Sequence, residues 1–171
     1  MNELETRDLI LGKAVFSDWQ NMYRNVWSQA ESARYMQWRV TESEAEAQAR
    51  IQRTIAFEKT HDTWLVYRKA DGSAIGFAGV EKTSDDTCSE TGICLGPQFV
   101  RQGYGTQILQ CLMAYGRIHY GAKTFLYTAR STNEASKHLA LSQGFQYLRF
   151  LERTDERSGR KYTDLIYSRA L

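Results

Sequence analysis

The chain has 171 residues, 42% of them hydrophobic and 25% charged, with a single proline; this is the usage of one globular domain over 1–171 and not of a disordered chain. Its 22 basic and 20 acidic side chains leave a net charge of only +2, which excludes the strong field that draws proteins to nucleic acid or to anionic membranes and favours a small-molecule or peptide partner. Cys88, Cys94 and Cys111 are odd in number and lack the close pairing of a zinc or dithiol site, Met1–Arg7 is polar, and no eighteen apolar residues run together; reduced thiols, no metal and a cytoplasmic location are the expectation.

In chain order, the apolar run Leu9-Ile10-Leu11 within 6–13 predicts a first strand. Asp18 then precedes Trp19, Met22, Tyr23, Val26 and Trp27, large side chains at helical spacing behind an acidic N-cap. Thr41 and Glu44 make a capping-box pattern that predicts a helix over 42–58. Short β-favouring runs follow at 63–68 and 74–82, joined by Lys69-Ala70-Asp71-Gly72-Ser73 as a hairpin. A strand over 88–95 stops at Gly96-Pro97, and from Gly103 an apolar stripe of Ile108, Leu109, Leu112 and Met113 predicts a helix ending at Gly121. A strand at 124–128, a helix at 133–143 capped by Asn133, and a hairpin of strands at 145–153 and 161–168 complete an α+β sheet domain.

The chemistry is concentrated where the strand over 88–95 passes through Val100-Arg101-Gln102-Gly103-Tyr104-Gly105-Thr106 into a helix. Unbonded N–H groups at a helix start, with the helix dipole behind them, suit a phosphate, and glycine lets the main chain approach closely. Arg101 adds a guanidinium able to pair with phosphate oxygens. A tight turn alone also accounts for Gly-x-Gly before a helix. Two nucleotide-binding patterns fail, because no Lys-Ser or Lys-Thr follows the glycines and Ile108 occupies the position of a third dinucleotide-loop glycine.

Val100-Arg101-Gln102-Gly103-Tyr104-Gly105 resembles the Gln/Arg-x-x-Gly-x-Gly/Ala signature of the GNAT N-acetyltransferases, with Val100 standing where that family has a polar side chain. Asn133-Glu134-Ala135-Ser136, then Leu139 and Gly144-Phe145, resembles its second signature, in the right order and spacing. Leu9-Ile10-Leu11, two helices and Tyr35-Met36-Gln37-Trp38 look like the opening of the RimJ/RimL-like branch, so the resemblance spans nearly the whole chain. It implies a mixed, mostly antiparallel seven-stranded sheet with about four helices. The sheet would splay between its fourth and fifth strands, here 88–95 and 124–128, to admit the pantetheine arm of acetyl-CoA.

The same resemblance assigns cofactor binding to Ile93, Cys94 and Leu95 through their main chain, to Val100, Arg101, Gln102, Gly103, Tyr104, Gly105 and Thr106 at the diphosphate, and to Asn133 and Ser136. It makes Glu90 the base that takes the amine's proton, with Glu81 as substitute. The family's tyrosine acid is replaced by Ala140, which leaves Ser136, ahead of Tyr127 or water, to protonate the departing thiolate. Cys94 has no activating base in view and reads as a buried strand residue; His119 and His138 fall outside the matched positions. Tyr35 and Trp38, outside the strong periodicity, are the expected walls of an acceptor pocket. The reading is acetyl transfer to a primary amine of a small molecule or a protein N-terminus, in a chain for which a homodimer is common among similar enzymes. The alternative is a non-catalytic acyl-CoA sensor.

Overall fold

The computed structural model describes residues 3–171; Met1 and Asn2, which open the polar N-terminus, lie outside them. Eight strands and five α-helices follow one another as β1 Leu4–Glu5, β2 Leu9–Gly12, α1 Trp19–Met22, α2 Ala30–Ala33, α3 Glu44–Phe57, β3 Thr63–Arg68, β4 Ala74–Lys82, β5 Thr87–Leu95, α4 Tyr104–Tyr120, β6 Thr124–Arg130, α5 Glu134–Ser142, β7 Gln146–Thr154 and β8 Lys161–Ala170. The architecture is the expected α+β class with a mixed sheet, but the counts of seven strands and four helices need correction. The extra strand is β1, two residues that pair antiparallel with β2 (Leu4 with Leu11, Glu5 with Ile10), too short for any period to show.

The extra helix is α2, which lies beyond the apolar spacing at 19–27 that predicts a single helix. α1 passes at Tyr23 into a π-helical turn, Tyr23–Trp27, closed by the Ser28 N–H on the Tyr23 carbonyl at 3.1 Å, and α2 then begins at Ala30. Asp18 does not cap α1. Its carboxylate accepts the Val15 N–H at 2.8 Å and the Tyr67 hydroxyl at 2.6 Å, a tertiary use that turns it away from the helix start. The cap of α3 likewise sits two residues later than Thr41: Ser43 accepts the Glu46 N–H at 3.2 Å, while Thr41 is buried with its own N–H on the Trp27 carbonyl.

Contacts divide the chain into two compact units, the first comprising residues through Glu81 with Thr91–Leu112, the second Lys82–Glu90 with Met113–Leu171. In the first, strands neighbour one another in the order β1-β2-β3-β4-β5. α3 and the π-turn close a core of Met22, Val26, Trp27, Ala47, Ile51 and Leu65. Fully burying a side chain of this size contributes about 1.5–3 kcal/mol, so this cluster, rather than helix propensity, holds the short α1 in place.

In the second unit the order is β5-β6-β8-β7. Thr87–Ser89 of β5 run parallel to Thr124–Leu126 of β6, whereas β8 pairs antiparallel with both β6 and β7. β6 alternates as a half-buried strand should, with Phe125, Tyr127 and Ala129 inward, and Phe145 packs edge-on against Phe125 at 6.1 Å between ring centroids.

Candidate active site

The turn before α4 belongs to the first unit. Gly96 donates its N–H to the Ile75 carbonyl at 2.9 Å, Pro97–Phe99 form one 3₁₀ turn, and Val100 is extended. Arg101 then takes φ 60 and Gly103 φ 77, two left-handed residues within three positions. A Cβ at Gly103 would meet nothing within 4 Å, so glycine is required there by conformation and not by space. α4 runs seventeen residues from Tyr104, and its first turn bonds within the helix only from Gln107, whose N–H reaches the Gly103 carbonyl at 3.3 Å. Helix geometry leaves the N–H groups of Tyr104, Gly105 and Thr106 without intrahelical acceptors.

This helix start is anchored from behind. The Gln107 amide accepts the Thr6 hydroxyl at 2.8 Å and the Asp8 N–H at 3.1 Å and donates to the Asp8 carboxylate at 2.7 Å. Gln98 donates to Asn25 at 3.2 Å, and Asn25 in turn donates to the Ala74 carbonyl at 2.8 Å. Val100 and Arg101 are exposed. An exposed guanidinium beside a row of oriented main-chain donors, with a dipole behind them, is what a diphosphate needs.

In the second unit, Glu90 follows the last parallel pair. Its carboxylate accepts the Thr128 N–H at 3.0 Å, taking the place of a main-chain partner in the ladder. Tyr127 is buried beneath α5, and its hydroxyl shares a 2.8 Å hydrogen bond with Ser136. Burial, then the charge of Glu90, raises the Tyr127 phenol well above its ordinary range, so the phenol keeps its proton. Asn133 caps α5 by accepting the Ser136 N–H at 3.2 Å, which sets the serine hydroxyl on the first turn. Ala140 is fully buried.

Beyond Glu90, β5 is distorted at Gly92, φ 138, before Ile93, Cys94 and Leu95. Cys94 is buried, its thiol held 3.7 Å from the Ser32 carbonyl and pushed up to about 12 by burial. At neutral pH it is a protonated, enclosed thiol and no nucleophile. His119 and His138 are exposed.

A cavity of about 550 Å3 lies within the first unit, lined by α3, by β3 and β4, and by Thr91 and Gly92. Trp38 belongs to its wall. Tyr35 does not: it sits under the Arg34 guanidinium, 5.2 Å from the ring centroid. Composition and period did not single out Arg50 or Glu58, which also line it. The signal was available, since Glu46, Arg50, Thr54, Phe57 and Glu58 recur at the i, i+4, i+8, i+11, i+12 spacing of one helix face. Glu58 accepts the Ala14 N–H at 2.7 Å, and burial raises its pKa to about 7. Among the described residues no group of three His, Cys, Asp or Glu side chains could hold a metal, and no helix is long and apolar enough to cross a membrane.

A family model described as an acetyltransferase (GNAT) domain matches residues 8–146. The chain belongs to the GNAT acetyltransferase family. It is 27% identical over 168 residues to "Uncharacterized N-acetyltransferase YoaA" of Bacillus subtilis (strain 168), covering 96% of this chain and 94% of that one. A GNAT-family acetyltransferase from Bacillus anthracis shares the fold, with a TM-score of 0.83 at 15% identity over 99% of this chain and 98% of that one. So does RimL, a ribosomal L7/L12 alpha-N-protein acetyltransferase solved in complex with coenzyme A, with a TM-score of 0.80 at 20% identity over 99% and 98%.

Proposed function

We propose that this chain is a cytoplasmic N-acetyltransferase of the RimJ/RimL-like branch, moving an acetyl group from acetyl-CoA to a primary amine of a small molecule or a protein N-terminus by direct attack in a ternary complex. The observation that carries the reading is the turn at Arg101 and Gly103, left-handed at both positions and opening a seventeen-residue helix. Its main-chain donors fit a diphosphate without the polar side chain that Val100 lacks, and Arg101 supplies the charge. That the structure of RimL holds coenzyme A gives the same fold a matching ligand.

Acetyl-CoA supplies an acetyl group already activated as a thioester. The chain's part is to orient it, to accept a proton from the amine and to return one to the thiolate. Main-chain groups of Ile93, Cys94 and Leu95 hold the pantetheine amides. Glu90 takes the amine's proton, directly or through water; its hydrogen bond from Thr128 steadies the carboxylate that does so. Ser136 gives a proton to the thiolate and takes one from Tyr127 along their hydrogen bond, and solvent reprotonates the phenol, whose raised pKa favours the protonated form. This pair does the work of the tyrosine absent at Ala140, and that argues against the non-catalytic sensor.

The test is release of the coenzyme A thiol over a panel of amines that includes amino acids, polyamines and peptides with free N-termini. Turnover with at least one amine, abolished when that amine is blocked, is expected. Tight binding of acetyl-CoA without release for any amine would instead favour the sensor.

A further inference from the structure

The cavity beside α3 contains a cation that the transfer chemistry leaves unused. Arg50 is half-buried on that helix, with its guanidinium over both Trp27 and Trp38, 4.7 and 4.3 Å from the ring centroids. One N–H donates to the Thr41 hydroxyl at 3.1 Å. Among the described residues no carboxylate forms an ion pair with it. The two acids of the same wall are engaged elsewhere: Glu46 pairs with Arg39 at 3.1 Å and accepts the Glu42 N–H, and Glu58 accepts the Ala14 N–H. A guanidinium has five donors; Thr41 meets one, and none of the others is a buried atom without a partner, so on the cavity wall they stay open to an acceptor that enters from outside. Desolvation is the largest cause that lowers the pKa of Arg50 to about 10, and it outweighs the nearby charges, of which Glu46 raises and Arg53 lowers the value. The two indoles hold the fork in one orientation by cation–π contact. The Trp38 indole N–H, buried and without an acceptor among the described residues, puts a second donor in the same wall.

We propose that Arg50 anchors an oxyanion group, carboxylate or phosphate, of the acceptor, so that the substrate class is an amine that also bears an anionic group. The proposal rests on the acetyltransferase reading and narrows it. The planar fork matches either oxyanion with two parallel hydrogen bonds, and the tryptophan faces beside it suit an apolar or aromatic body between anion and amine.

Tryptophan fluorescence and calorimetry test this with three probes on the whole chain: phenylalanine, phenethylamine and phenyl phosphate. The expected result is saturable binding of phenylalanine or phenyl phosphate, with phenethylamine at least about tenfold weaker. Tighter binding of phenylalanine identifies a carboxylate site, and tighter binding of phenyl phosphate a phosphate site. Arg50→Gln should remove the preference for the anion while the affinity for acetyl-CoA is unchanged. Arg50→Lys, which keeps the charge and loses the fork, should fall between, and it gives the answer if Arg50→Gln does not fold. Equal binding of phenylalanine and phenethylamine, an anion preference that survives both substitutions, or no saturation by either anion would overturn the proposal. Failure of the transferase reading looks different: no amine would bring about release of coenzyme A, yet the anion would still bind and still depend on Arg50.

Discussion

The turn before α4 and the group formed by Glu90, Tyr127 and Ser136 build chemistry from different materials. The turn uses main-chain donors oriented by two left-handed residues and a helix start, and its side chains are exposed. The second group uses side chains alone, one carboxylate on a strand and two hydroxyls brought to 2.8 Å by the cap of a helix. A main-chain site tolerates replacement of most of its side chains but not a change of its φ angles, whereas a side-chain site tolerates the reverse. Val100 in the turn illustrates the first case.

The largest effect expected on the side-chain group is from Glu90→Gln, which keeps an oxygen for the Thr128 N–H and removes the base; turnover should fall about 10²-fold or more with coenzyme affinity unchanged. Unchanged turnover in steady-state assays would take Glu90 out of the mechanism. In the main-chain turn, Gly103→Val forces a β-branched residue into φ 77, at a cost of roughly 1–3 kcal/mol, and acetyl-CoA affinity should fall about tenfold or more. Calorimetry showing an unaltered Kd would undo the assignment of the turn.

The contrast sharpens with pH, because side chains titrate and main-chain amides do not. Glu58 has its pKa raised from 4.5 to about 7, chiefly by burial. Below about 4.5 it is neutral in the folded and unfolded chain alike; between that value and 7 the unfolded chain ionises first, so stability falls as pH rises through this window and stays lower above it. Glu58→Gln keeps an acceptor for the Ala14 N–H and removes the loss. Urea unfolding should show the variant more stable than the parent by about 1–2 kcal/mol at pH 8, after allowance for solvent screening, with the gap closing near pH 4. A constant gap would mean that burial does not shift this carboxyl. The smallest effect belongs to Asn133→Ala, which removes the cap on α5; about 1 kcal/mol of stability should go in urea unfolding, and with it the placement of Ser136, read as a lower kcat.

Much of this was legible in order and spacing. The hairpin at 63–82, the helix from Gly103, the cap at Asn133 and the two glycine signatures rest on interactions a few residues apart, which local residue types dictate. The misplaced features share one cause. Asp18 and Thr41 carry cap-forming side chains, but Tyr67, distant in sequence, and Arg50, from the middle of α3, donate to their oxygens. The break of the first long helix at Tyr23 leaves no mark in its apolar spacing, and Tyr35 and Trp38 look alike in the sequence although only Trp38 reaches the cavity wall.

The sequence alone determined the alternation of strands and helices, the glycine loop that opens the helix at Gly103 and the family to which both belong, because glycine placement and apolar period act through neighbouring residues. Only the tertiary structure decided that Glu90 meets Thr128, that Tyr127 meets Ser136, and that Arg50 lies over two indoles with no carboxylate in ion pair with it among the described residues. Such pairings depend on which distant side chains arrive at the same place once the core has closed.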